Sequence, residues 1–114
     1  MIAVNHLMIK DATAPVTPTE YFYNAKCDAI AVEVSGDFSS ASVIVEGRLD
    51  ANSENWTPLA LINVSDYSVI ENGEITKAGI YELGGEAVQY FRARLASVSG
   101  GAVTVFCRML TTGV

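Results

Sequence analysis

The chain has 114 residues, enough for one hydrophobic core and too few for two. Half of the residues are hydrophobic and 18% are charged, a composition that excludes disorder along the whole chain. The net charge of -6 opposes non-specific attraction to nucleic-acid phosphates and to anionic lipid surfaces, so neither nucleic acid nor membrane is an expected partner.

Met1 is followed by Ile-Ala-Val-Asn-His, without a basic n-region or a small-residue cleavage site, and no apolar run approaches the ~20 residues of a membrane helix. The expectation is a chain made in a cytoplasm. Apolar residues alternate with polar ones over short windows broken by Gly, Asn, Asp, Ser or Pro, the pattern of an all-β protein.

Ile2 to Ile9 reads as a first strand. Asp11 to Glu20, with Pro15 and Pro18, reads as an extended connector in which proline blocks regular pairing and which lets the first strand cross to another sheet or another subunit. Residues 1–20 are therefore expected to form a strand and connector serving as an assembly arm, and residues 21–114 a β-sandwich domain. Tyr21 to Asn24 is a short strand. Ala29 to Ser35 is a stronger one, with Ile30, Val32 and Val34 on one face and Glu33 on the other. After the Gly36-Asp37 turn, Ser42 to Leu49 alternates Val43, Val45, Gly47 and Leu49 against Ile44, Glu46 and Arg48, which predicts a hairpin with the preceding strand.

A polar loop from Asp50 to Asn55 leads to Trp56, expected to anchor the core near one end, and Pro58 marks an edge or a bulge. Asn72-Gly73 predicts a second hairpin, between Tyr67–Glu71 and Ile75–Lys77. After Ile80 to Leu83, Val88 to Ser97 and Ala102 to Leu110 flank Gly100-Gly101 and predict a terminal hairpin. About eight or nine short strands without helices must close their apolar faces on one another, so the expected architecture is an antiparallel β-sandwich, jelly-roll or Ig-like.

Catalytic signals are weak. His6 is the sole histidine, and no motif supplies the nucleophile, orienting group and oxyanion hole that a base at His6 would need. The thirteen carboxylates fall mostly in turns or on polar strand faces, where solvation explains them. Asp50-x-Asn52-x-Glu54 opens like a calcium loop, but Asn55 and Leu61 stand where an EF-hand needs glycine and a bidentate glutamate. Cys27 and Cys107 lie too far apart for a zinc knuckle; Cys107 sits in an alternating strand as a small hydrophobe, and a disulfide between the two stays open. Asn55-Trp56-Thr57 and Asn63-Val64-Ser65 match the glycosylation pattern by coincidence. The expectation is no enzyme, no cofactor and no metal.

Tyr21, Tyr23, Tyr67, Tyr81, Tyr90 and Trp56 are either sheet filling or, in part, a platform for a sugar ring. Arg92 and Arg94 alternate with Phe91, Ala93 and Leu95, so both guanidinium groups share one face and are expected to meet acidic residues on a neighbouring strand or on a partner subunit. The candidate partner-contact residues are Val4, His6 and Met8 of the first strand, together with Arg92 and Arg94.

The runs Ala29 to Gly36, Val43 to Gly47 with the Asp50-to-Trp56 loop, Gly79-Ile80-Tyr81, Tyr90 to Arg94, and Ser99 to Val105 follow one another in an order that resembles small β-sandwich structural proteins of tailed bacteriophage virions. The resemblance covers roughly residues 29–110 and marks no catalytic position. It implies a virion component that self-associates as a homo-oligomer and binds capsid or tail proteins: a head decoration or cement protein, or else a tail, baseplate or fibre element. A carbohydrate-binding module for host-surface attachment is the alternative of a different class.

Overall fold

The computed structural model describes residues 2–18, 21–22, 29–50, 52–83 and 90–111. Among them are eleven strands and no helix: β1 (Ile2–Ala12), β2 (Tyr21–Phe22), β3 (Ala29–Ser35), β4 (Ser40–Arg48), β5 (Thr57–Pro58), β6 (Leu61–Asn63), β7 (Val69–Ile70), β8 (Glu74–Ile75), β9 (Gly79–Leu83), β10 (Tyr90–Ser99) and β11 (Val103–Thr111). The paired strands form a six-stranded sheet A, in the order β1-β11-β3-β9-β6-β7, and a five-stranded sheet B, in the order β2-β10-β4-β5 with β8 also on β4. All pairings are antiparallel. The expected β-sandwich is therefore observed, with more and shorter strands than the alternation alone resolved.

The core lies between the sheets and is built mainly of β-branched residues, which fit a pleated surface. Val32 and Val34 from β3 and Val103, Val105 and Cys107 from β11 line sheet A; Val43 and Val45 from β4 and Phe91, Ala93 and Leu95 from β10 line sheet B. Leu61, Ile75 and Tyr81 are buried with them, as are Met8, Ile9, Ile30, Ala41 and Leu59. Cys107 is a free, buried thiol, and Cys27, the other half of the open disulfide question, lies outside the described residues.

The three expected hairpins are arches. β3 belongs to sheet A and β4 to sheet B; β10 belongs to sheet B and β11 to sheet A; β7 pairs with β6 in sheet A while β8 pairs with β4 in sheet B. The reason is the demand for two inner faces. A hairpin places both apolar rows on one face of one sheet, whereas an arch turns the row Val32–Val34 to look across the core at Val43–Val45. Glycine-rich turns serve either geometry, so the turn residues do not tell them apart.

The β3–β4 and β10–β11 arches are stacked on each other. Ser39 N donates to Ser99 O at 2.9 Å and Ala102 N to Asp37 O at 3.0 Å, bridging the corner between the sheets. The one-to-one register holds from Ser42↔Ser97 and Ser40↔Ser99 in sheet B through to Ser35↔Thr104 and Ala29↔Leu110 in sheet A. Two paired chain segments thus bend together from one sheet into the other without gaining or losing a residue.

The connector crosses sheets as well. β1 stays paired with β11 as far as Ala12↔Val103, through an irregularity at Asp11, with φ 47, whose amide donates to Thr104 Oγ1 at 3.0 Å. Val16 then exchanges two backbone hydrogen bonds with Leu95, at 3.1 and 2.8 Å, on the flank of sheet B where β2 also pairs with β10. A bulge between Leu7 and Ile9 turns both Met8 and Ile9 into the core.

Candidate interaction surface

Side chains opposite each other on paired strands share a face, so the outer side of sheet B can be read from its register. Tyr90 lies beside Arg48, Arg92 beside Glu46, and Arg94 beside Ile44, which in turn lies beside Glu74. The residues between them, Phe91, Ala93 and Leu95, fill the core.

Both arginines converge on one carboxylate oxygen. Arg92 Nε donates to Glu46 Oε1 at 2.7 Å and its Nη2 lies 2.7 Å from the same atom; Arg94 Nε donates to it at 3.1 Å. Glu46 is only 4% exposed, a burial that an unpaired carboxylate would not tolerate. Of the two expected sources of an acidic partner, the neighbouring strand supplies it.

Trp56 is half-buried on this outer face and not in the core where the sequence placed it. The Arg92 guanidinium carbon lies 4.0 Å from its ring centroid and that of Arg48 5.0 Å, with Arg48 also 5.1 Å from the Tyr90 ring. An indole carries enough ring quadrupole to hold guanidinium groups, worth about 0.5–2 kcal/mol each depending on exposure. The aliphatic core offers no cation for that stacking, which is why the alternation pattern alone misplaced this residue.

The loop before Trp56 is held by Arg48 Nη1 donating to Ser53 O at 3.0 Å, and by Asp50 Oδ1 accepting from Asn52 N at 2.8 Å. Asp50 thus serves its own turn, and among the described residues no group of three or more His, Cys, Asp or Glu side chains is placed to hold a metal ion. Further along β4, where β8 pairs with it, Ser42 Oγ donates to Glu74 Oε2 at 2.6 Å.

The face brings together Arg92 and Arg94 but not the three candidates of β1. Val4 is 41% exposed and His6 half-buried, whereas Met8 is packed in the core and offers nothing to a partner. Those three lie in sheet A, at the strand that flanks β11. The sequence missed Glu46, Arg48 and Trp56 as members of the arginine cluster; the alternation of Glu46 and Arg48 with Val45 and Gly47 was the available signal.

The outer side of sheet A is different. Leu7, Phe106, Glu33 and Ile80 form one cross-strand row, and Asn5, Arg108, Ala31, Glu82, Ile62 and Val69 the next. Between Asn5, Glu33, Ile80, Phe106 and Arg108 lies an open concavity of about 530 Å³. Arg108 Nε donates to Asn5 Oδ1 at 2.8 Å across it.

Beyond Ile62 the β6–β7 loop projects Tyr67, 81% exposed and at φ 60. Tyr67 N donates to Asn63 O at 2.7 Å and Asn63 N to Ser68 O at 2.8 Å. Asn63 Oδ1 accepts from Ser65 N and Oγ, at 3.0 and 2.9 Å, while Asp66 Oδ1 accepts from Ser68 N and Oγ, at 2.9 and 2.7 Å. The Ser68 hydroxyl and amide hold the Asp66 carboxyl below its ordinary range. Of the aromatics considered as a sugar platform, Tyr81 is buried, Trp56 and Tyr90 carry guanidinium groups, Tyr67 stands open, and Tyr23 lies outside the described residues.

Fold and surface together define a small two-sheet β-sandwich with a charged, aromatic-bearing outer face. No family model matches the chain, and no curated protein matches its sequence. Solved structures do share its fold. The crystal structure of the SPBc2 prophage-derived protein YomS is similar over 95% of this chain and 92% of its own, with a TM-score of 0.80 and 20% identity. That of the PBSX exported protein XepA is similar over 95% of this chain, with a TM-score of 0.82 and 14% identity; this chain spans 37% of XepA's length. At such identities the likeness is one of fold.

Proposed function

We propose that this chain is a non-enzymatic structural protein of a phage virion, a head decoration or cement protein that binds capsid or neighbouring subunits through the arginine face of sheet B. The observation that carries the reading is the gathering of Arg48, Arg92 and Arg94 with Trp56 on one rigid sheet face, in a chain whose net charge is -6. Arginine and tryptophan are the side chains that most often anchor protein interfaces, because each buries a large planar surface while keeping a polar handle. Glu46 fixes the two guanidinium planes before any partner arrives, which lowers the ordering entropy of docking. The shared fold with the SPBc2 prophage-derived protein YomS supports a phage setting.

The test is co-sedimentation of the purified chain with particles that lack it, using separated heads and tails. The reading expects the native chain to pellet with heads, and an Arg92→Ser/Arg94→Ser variant that keeps its sheet content to stay in the supernatant. Pelleting with tails alone would move the protein to a tail, baseplate or fibre role. Equal pelleting of native and variant chains would remove the arginine face from the contact.

A further inference from the structure

The Asp66–Tyr67 loop combines features that its own fold does not use. A bulky non-glycine residue in the left-handed region costs of order 1–3 kcal/mol and persists only where its surroundings over-determine it. Here the surroundings do so: Asn63, Asp66 and two serines clamp the loop through backbone and side-chain hydrogen bonds. The strained residue nevertheless leaves 81% of itself in water, so burial in its own core does not offset the strain. Beside it Val69 is 61% and Val64 38% exposed, and Asp66 adds a carboxylate. A rigid loop that presents an aromatic ring with an aliphatic skirt and one negative charge is already organised for an interface, since little freedom remains to be lost on docking.

The complementary surface lies on the same chain. Arg94 keeps 34% and Arg92 21% of its side chain accessible beside Trp56, and a guanidinium plane takes both a tyrosine ring and a carboxylate. The loop joins β6 to β7 in sheet A, whereas the arginines project from the outer side of sheet B, so one chain cannot seat its own loop on its own arginines. Copies that each carry a net charge of -6 repel one another unless an acidic element of one meets a cationic surface of the next.

We infer that the Asp66–Tyr67 loop of one copy docks on the Arg92–Arg94–Trp56 face of a second copy, a head-to-tail contact that uses a different patch on each partner. This rests on the reading of the arginine face as an assembly surface and names its occupant.

The experiment is complementation by charge exchange. Purified native chain, Asp66→Arg, Arg94→Glu and their equimolar mixture are compared by size-exclusion chromatography with light scattering, with circular dichroism to verify the fold. A native mass above one chain, single-chain masses for each variant, and a restored higher mass in the mixture support the contact, because the mixture holds one loop and one face of exchanged sign. Tyr67→Ser, which alters neither charge nor arginine face, is expected to lower the mass as well. A native chain that stays monomeric at every concentration overturns the inference, as does loss of association in Arg94→Glu but not in Asp66→Arg or Tyr67→Ser. Particle co-sedimentation separates this outcome from the parent reading: a monomeric chain that pellets with heads defeats the self-contact alone, and a self-associating chain that never pellets defeats the virion role alone.

Discussion

Gly36 and Gly101 stand in different arches, and each leaves the space that the other arch occupies. A Cβ on Gly36, at φ 124, would strike the carbonyl oxygen of Ala102, and one on Gly101, at φ 152, would strike that of Asp37. The same segments are joined by the Ala102 amide donating to Asp37 O, so the two glycines allow the backbones to approach closely where the paired ribbon bends from sheet B to sheet A.

Gly101→Ala is therefore expected to destabilise the fold by more than about 2 kcal/mol, combining positive-φ strain with a backbone collision that no side-chain rotation relieves. Urea unfolding measures it. A loss below about 0.5 kcal/mol, the range of ordinary surface changes, would show that the stacked arches do not hold the corner.

Glu46→Ala leaves Arg92 and Arg94 without their shared acceptor. Because both arginines keep part of their side chains in water, the expected loss is about 1–3 kcal/mol, below that of a fully buried pair. A double-mutant cycle between Glu46→Ala and Arg92→Ala should show positive coupling. Additive losses would mean that the ion pair is incidental.

Tyr67→Asn should raise stability by about 0.5–1 kcal/mol, since asparagine tolerates the left-handed region better than tyrosine. The same change should weaken self-association. Stability gained together with assembly lost is the signature of strain retained for binding, and thermal unfolding run beside light scattering reads both.

The pH dependence has two parts. Asp66 is held below its ordinary value of 3.8 by its hydrogen bonds to Ser68, so it contributes stability above that value and loses it as the medium falls through its lower folded value. An Asp66→Asn variant should lose this acid-side component. Burial, opposed in part by a hydrogen bond with the His6 backbone, pushes the Cys107 thiol up to about 11 from 9.0, so its contribution is complete below 9.0 and disappears as pH rises toward 11. In a Cys27→Ser background, thiol reagents at neutral pH should label Cys107 only at the rate of chain opening. Immediate labelling of folded protein would contradict its burial.

The sequence made the sheet faces legible because alternation is a local property. Ile30, Val32 and Val34 point inward as their spacing requires, Pro58 lies in the short strand flanking β4, and Arg92 and Arg94 share a face with Phe91, Ala93 and Leu95 opposite. Strand partners were not legible, since Gly36-Asp37, Asn72-Gly73 and Gly100-Gly101 provide positive φ to hairpins and arches alike. Gly73 shows the difference: its carbonyl accepts the Val45 amide at 2.9 Å, tying the turn to sheet B instead of closing a hairpin. The role of Trp56 was hidden for a related reason, because Arg92, which stacks most closely on its ring, comes from β10, a strand distant in sequence.

Mass spectrometry of gradient-purified particles, from a lysate that expresses this gene and from one in which it is deleted, tests the virion assignment most directly. Many copies of the chain per particle are expected, banding with the heads and absent from the deletion lysate. Finding the chain only in the soluble fraction, with particles of unchanged composition and durability, would contradict it.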